Sequence, residues 1–163
     1  MILLAIDPGF EKIGYALFEK KSKSGNDFAY LASGLIKTHK SQTTEHRISE
    51  IYSQLQAIIK EYKPEKLIME QLFFFKNQKT VIGVAQAQGA IMLLSAQEHL
   101  QLIFLTPLQI KQIITGYGNA DKKSVYKMIT LLLKQKIEVK DDDQSDAIAC
   151  GLAYCYMNED LVR

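Results

Sequence analysis

Residues 2–18, ILLAIDPGFEKIGYALF, decide how the rest of the chain is read. The five apolar residues Ile2 to Ile6 have the composition of a strand buried on both faces, and the run stops abruptly at Asp7, Pro8 and Gly9. A second apolar run, Ile13 to Phe18, follows so closely that a hairpin is predicted, with Asp7 at its open end. A carboxylate at the tip of a central strand is costly unless something compensates it. Taken alone, Asp7 can simply begin an Asx turn before Pro8. Further carboxylates at the ends of other elements favour the functional reading.

At 163 residues the chain is expected to form one domain, 1–163. A domain of this size buries ~70% of its extended surface, enough for a core without staples. With 47% hydrophobic and 23% charged residues the composition is that of a soluble globule, and no apolar run approaches a membrane span. No secretion signal is visible at the amino terminus, so a cytoplasmic protein is expected. Cys150 and Cys155 lack a histidine at ligand spacing and read as buried free thiols. The net charge of +2 says little by itself, but its distribution is uneven. Seven lysines lie between Lys111 and Lys140, against Asp121 and Glu138, and the sign then reverses at Asp141, Asp142 and Asp143. A basic surface is thus predicted beside an acidic one.

Along the chain, Phe28 to Lys37 reads as a third, antiparallel strand after the polar turn Lys20 to Asp27. Ile48, Ile51, Tyr52, Leu55, Ile58, Ile59 and Tyr62 recur at helical spacing, with Thr43 or Thr44 available as a cap and Pro64 as a stop. Lys66 to Glu70 is a short buried strand that again finishes in a carboxylate, and a right-handed crossover can bring Glu70 beside Asp7. A helix is predicted from about Thr80 to His99. Gly83 and Gly89 inside it each cost ~1 kcal/mol against alanine, which suggests close approach of another backbone, from a helix or a twin subunit. Gln101 to Leu105 reads as a fifth strand and Pro107 to Thr115 as a short helix. The next helix opens at Asn119 to Asp121 with Lys122 and Lys123 in its first turn, where the helix dipole disfavours cations. Either they are solvated surface lysines or an anion, such as a nucleic acid phosphate, sits there.

The last helix, Asp141 to Met157, opens with Asp143 and Asp146 on one face. Asp143 as a cap and Asp146 as a dipole partner is the plain alternative, and Asp141 and Asp142 are assigned to solvent. Together, Asp7, Glu70, Asp143 and Asp146 come from three separate elements that can share one sheet edge. Such a set repels itself, and is relieved by protonation or by hard divalent cations. Oxygen donors without histidine or cysteine suit magnesium or manganese rather than zinc. Two such ions can stabilise both the attacking and the departing oxygen of a phosphoryl displacement, with no protein nucleophile.

These residues resemble the RuvC-type Holliday junction resolvases of the ribonuclease H-like superfamily. The resemblance is carried by residues 2–18, MEQLFFFKN (Met69 to Asn77), QAQGAIMLL (Gln86 to Leu94), TPLQIKQIITGYGNADKKSV (Thr106 to Val125) and DDQSDAIACGLAYC (Asp142 to Cys155). It implies an α/β, ribonuclease H-like fold: a five-stranded mixed sheet flanked by helices on both faces. It places the acidic metal ligands on Asp7, Glu70, Asp143 and Asp146, with two magnesium ions per site and manganese as the alternative. Phe73, with Phe74 beside it, matches the aromatic that stacks into the opened junction centre. Lys111 and Lys122, with Lys123 adjacent, match the lysines near the scissile phosphate. The implied activity is paired symmetric nicking of four-way DNA junctions by a homodimer, in recombination and repair, in cooperation with the branch-migration proteins RuvA and RuvB. Gln88 stands where the family's arginine is expected, and the Lys20 to Asp27 turn is longer and more basic than expected. Two rivals remain open on the residues alone. Asp7, Gly9 and Gly14 also fit the phosphate hairpin of actin-like and sugar-kinase ATPases, and a non-catalytic DNA-binding module would keep the basic surface and use the acids structurally.

Overall fold

The computed structural model describes residues 1–21, 27–71, 78–133, 137–139 and 141–157. β1 (Ile2–Asp7), β2 (Lys12–Lys20) and β3 (Phe28–Lys37) form an antiparallel meander. β4 (Lys66–Glu70) then pairs parallel with β1, and β5 (Gln101–Leu105) parallel with β4. The order β3-β2-β1-β4-β5 therefore makes β1 and β4 inner strands of a five-stranded mixed sheet. Hairpin strands can be joined by a tight turn, whereas the parallel pairs need crossovers, supplied by α1 (Thr44–Tyr62) and α2 (Gln78–Gln97).

Strand alternation sends Leu3, Ala5 and Ile68 to one face and Leu4, Ile6, Leu67 and Met69 to the other. The first face is covered by α3 (Pro107–Thr115), α4 (Lys122–Leu133) and α5 (Asp142–Tyr156), the second by α1 and α2. Leu67 and Ile68, both fully buried, each contribute about 1.5–3 kcal/mol of burial energy in this arrangement. Covering on both sides explains why these strands read as continuous apolar runs.

α5 is deeply seated because its inner face is small. A Cβ on Gly151 would lie 2.4 Å from Phe18 Cε2 and 3.0 Å from Ala5 Cβ, so glycine lets the helix rest directly on the sheet. The predicted limits of β3, β4, β5 and α3 match the structure. α2 begins and ends two residues earlier than the pattern suggests, within the usual fraying of helix ends. Three expectations are corrected. Asp7 sits at the turn end of the hairpin rather than its open end, paired with Gly14. Thr43 is the N-cap of α1 but makes no side-chain capping hydrogen bond. Gly83 makes room for the Phe10 ring, 2.7 Å from a Cβ position, not for a backbone, and Gly89 has nothing within 4 Å among the described residues.

Candidate active site

Asp7 and Glu70 are the last residues of adjacent parallel strands, with Ile6 opposite Met69 in the register. Strand spacing of ~4.8 Å thus brings the two partly buried carboxylates side by side. The third contribution comes over the sheet from α5, and Gly14 decides how close it comes. Gly14 is the pairing partner of Asp7, and a Cβ on it would fall 1.8 Å from the Asp143 carbonyl oxygen. Any side chain at position 14 would therefore lift the first turn of α5, with Asp143 and Asp146, away from β1.

The charges record this convergence. Burial, reinforced by Glu70, Asp146 and Asp143, pushes the Asp7 carboxyl up to about 8. Burial and Asp146 push Glu70 up to about 7, against the opposing pull of Lys111 and Lys122. Asp143 is also raised, by burial first and then by Asp141. Among the described residues no group donates a hydrogen bond to the Asp7 or Glu70 carboxylate. Asp146, by contrast, accepts from Lys122 Nζ at 3.1 Å, and the same ammonium reaches Asp142 at 3.3 Å. Burial opposes the charge of Lys122, but these carboxylates outweigh it and hold the lysine above its usual value.

Lys111 and Lys122 line a cavity of about 190 Å³ with Glu70 and Asp146, walled by Pro107, Ile110, Val125 and Ala149. The two lysines expected near a phosphate therefore do stand beside the acids. Lys123 turns to a second cavity of about 390 Å³, shared with Tyr126, Asp141, Ser145 and Lys122. It does not join the wall beside Glu70. Phe73 and Phe74 lie outside the described residues. Asp141 departs furthest from its expected role: it is not solvated but is the N-cap of α5, accepting from the Asp143 backbone N–H at 3.3 Å and from Lys12 Nζ. Asp143 is accordingly not the cap. Sequence reasoning also missed Arg47, which is buried and donates to Phe10 O at 3.2 Å and Thr38 Oγ1 at 2.9 Å, holding the turn after Asp7. Its only sequence signal is a cation at a position inside the apolar stripe of α1.

The donor set fits hard divalent cations: it is made of carboxylate oxygens only, Asp7, Glu70 and Asp143 are all held above their usual range by burial and by neighbouring acids, and no described group donates a hydrogen bond to Asp7 or Glu70. As they stand, no three described acidic, histidine or cysteine side chains surround a common point, and Asp146 is drawn toward Lys122. Cys150, buried near Glu70 and Asp7, has its thiol pushed well above its usual value, first by burial and then by those charges, and offers no thiolate.

A mixed sheet of this order, with acids at the ends of two inner parallel strands and at the start of the helix laid over them, defines a ribonuclease H-like fold with an acidic cluster at one edge. Residues 3–155 match the model of the family described as "Crossover junction endodeoxyribonuclease RuvC". The chain is 41% identical over 155 residues to the protein of that name from Thermosipho melanesiensis, covering 95% of this chain and 96% of the relative. It is 42% identical over 158 residues to the one from Brachyspira hyodysenteriae, covering 97% and 96%. Among solved structures, RuvC of T. thermophilus in complex with a Holliday junction substrate superposes with a TM-score of 0.87 at 24% identity, covering 96% of this chain and 93% of that one. The chain belongs to the RuvC family of crossover junction endodeoxyribonucleases. Nucleases of this family depend on divalent metal ions. Membership in the family favours neither the ATPase nor the non-catalytic alternative.

Proposed function

We propose that this protein resolves four-way (Holliday) DNA junctions by metal-dependent phosphodiester hydrolysis, with residues 1–163 forming one nuclease domain and Asp7, Glu70, Asp143 and Asp146 as its metal ligands. The observation that carries this reading is the pair of carboxyls at Asp7 and Glu70, raised to about 8 and about 7 by burial and by the neighbouring acids. Groups arranged that way serve a bound cation better than they serve the fold. Bound magnesium, or manganese in its place, two ions per site, would supply Lewis-acid charge at the phosphate and a more acidic attacking water.

The chain's own residues do the rest. Asp7 and Glu70, fixed at strand ends, hold the position of the reaction. Lys111 and Lys122 lie on the wall beside Glu70 and offer ammonium donors to the phosphate. Phe73 and Phe74 serve the opened junction by stacking, as the family resemblance implies. A twofold junction calls for a twofold enzyme. α2 leaves Ile82, Met92 and Leu93 exposed at 67%, 43% and 56%, and the open Gly89 lies on the same helix, which supports a homodimer packed through α2. RuvA and RuvB are partners by family resemblance. A cytoplasmic setting is part of the same reading.

The test is a synthetic four-way junction incubated with the purified protein and magnesium, and then with excess chelator. Paired nicks in the first case only are expected. Cleavage that survives the chelator, or junction binding without cleavage at any magnesium concentration, would overturn the reading.

A further inference from the structure

The start of α5 carries two of the four acids, Asp143 in its first turn and Asp146 just beyond, and lysines hold it from both sides. On one side Lys122 of α4 reaches Asp142 and Asp146. On the other, Lys12, the first residue of β2, is paired with Asp141. Asp141 does two things at once: Oδ2 accepts from Lys12 Nζ, while Oδ1 accepts the backbone N–H of Asp143 at 3.3 Å. A single carboxylate thus links the hairpin that carries Asp7 to the backbone of Asp143. Two residues along β2, Gly14 meets the Asp143 carbonyl directly. The glycine sets how near that turn comes, and the Lys12–Asp141 contact ties it to the start of β2.

We propose that the Lys12–Asp141 pair is a positioning device that holds the first turn of α5, and Asp143 with it, against the end of β1, from where a divalent cation can recruit Asp143. This rests on the reading of Asp7, Glu70, Asp143 and Asp146 as ligands. Lys12 and Asp141 keep 44% and 18% side-chain exposure, so the pair adds little to overall stability. Its effect on metal binding has a diagnostic sign. A lysine beside a cation site repels the cation, so through-space electrostatics alone makes removal of Lys12 tighten metal binding. Positioning makes removal weaken it.

The probe is Mn²⁺, titrated into the full chain without DNA at fixed ionic strength, with the free ion followed by electron paramagnetic resonance and thermal unfolding recorded in parallel. Lys12→Met and Asp141→Asn should each weaken Mn²⁺ binding about five-fold, near the upper range for an exposed pair, with asparagine retaining the helix cap. The double variant should bind no more weakly than either single one, Lys12→Arg should restore affinity to within about two-fold, and Tm should move by no more than about 2 °C. Unchanged or tighter binding by Lys12→Met, or additive losses in the double variant, would overturn the proposal. Asp143→Asn is measured alongside: if it binds Mn²⁺ as tightly as the parent, the ligand assignment itself fails. If it loses affinity while Lys12→Met does not, only the positioning role fails.

Discussion

The two ends of the sheet handle buried charge in opposite ways. At one end, Lys20 is 2% exposed, donates to the Met157 carbonyl at 3.2 Å and lies 5.4 Å from the centre of the Tyr154 ring. Lys66, which begins β4, donates to the Tyr154 hydroxyl at 2.7 Å and lies 5.3 Å from the centre of the same ring. At the other end, β4 finishes in Glu70 beside Asp7, and no described group donates to either carboxylate. Charges kept for structure are given fixed partners from the fold. Carboxyls packed beside one another are relieved by protonation, or by a cation if one binds there. The same strand, β4, thus runs from a lysine held by a tyrosine to a glutamate set among other acids.

The sharpest way to break this contrast is to remove a charge at the acidic end. Asp7→Asn or Asp146→Asn should reduce junction cleavage roughly 10³-fold or more while leaving junction binding intact, and wild-type cutting by either would make the assigned site wrong. Asp7→Asn should also stabilise the metal-free fold by on the order of 2 kcal/mol at pH 8, seen in urea titrations. Next in size, Lys111→Ala and Lys122→Ala should each lower cleavage about 10- to 100-fold. If these lysines neutralise phosphates, the plot of log binding constant against log salt should become shallower by about 0.9 for each lysine removed.

A third test uses pH. The folded Asp7 and Glu70 carboxyls are raised to about 8 and about 7 from ordinary values of 3.8 and 4.5, so between those limits the native state binds more protons than the unfolded one. Stability of the metal-free protein should therefore be fully present below about pH 4 with respect to these groups and decline as pH rises from about 4 to 8. Saturating magnesium should recover the loss at pH 8, measured as Tm, and a flat profile without metal would remove the contrast between the two ends. The smallest effect belongs to the lysine end. Tyr154→Phe should cost about 1–2 kcal/mol of stability by removing an acceptor of Lys66, with cleavage unchanged. A cleavage loss comparable to that of Lys111→Ala would show that the two ends are coupled.

The residues legible in the sequence are those whose role is written in local pattern. Asp7 and Glu70 each interrupt an apolar strand at its end, and the 3.6-residue period of α1 and the proline that opens α3 mark their elements without tertiary help. Lys111 and Lys122 are legible from composition only as part of a basic stretch. Asp141 resists reading because a run of three aspartates gives no means of telling the cap from the solvated residue, and its partner Lys12 lies 129 positions away. The role of Gly14 is equally hidden, since nothing near it in the chain announces that a helix start from the far end of the sequence will lie on it.

Hydrophobic periodicity and chain-terminating signals act over a few residues, and for that reason the amino-acid order alone determined the strands, the helices, the α/β class and the acids that end them. Which acids meet, how closely α5 approaches β1, and which lysine faces Glu70 rather than the neighbouring cavity were decided only when distant segments packed. Those outcomes depend on excluded volume at Gly14 and Gly151 and on charge pairs formed across the fold, neither of which exists until the chain is folded.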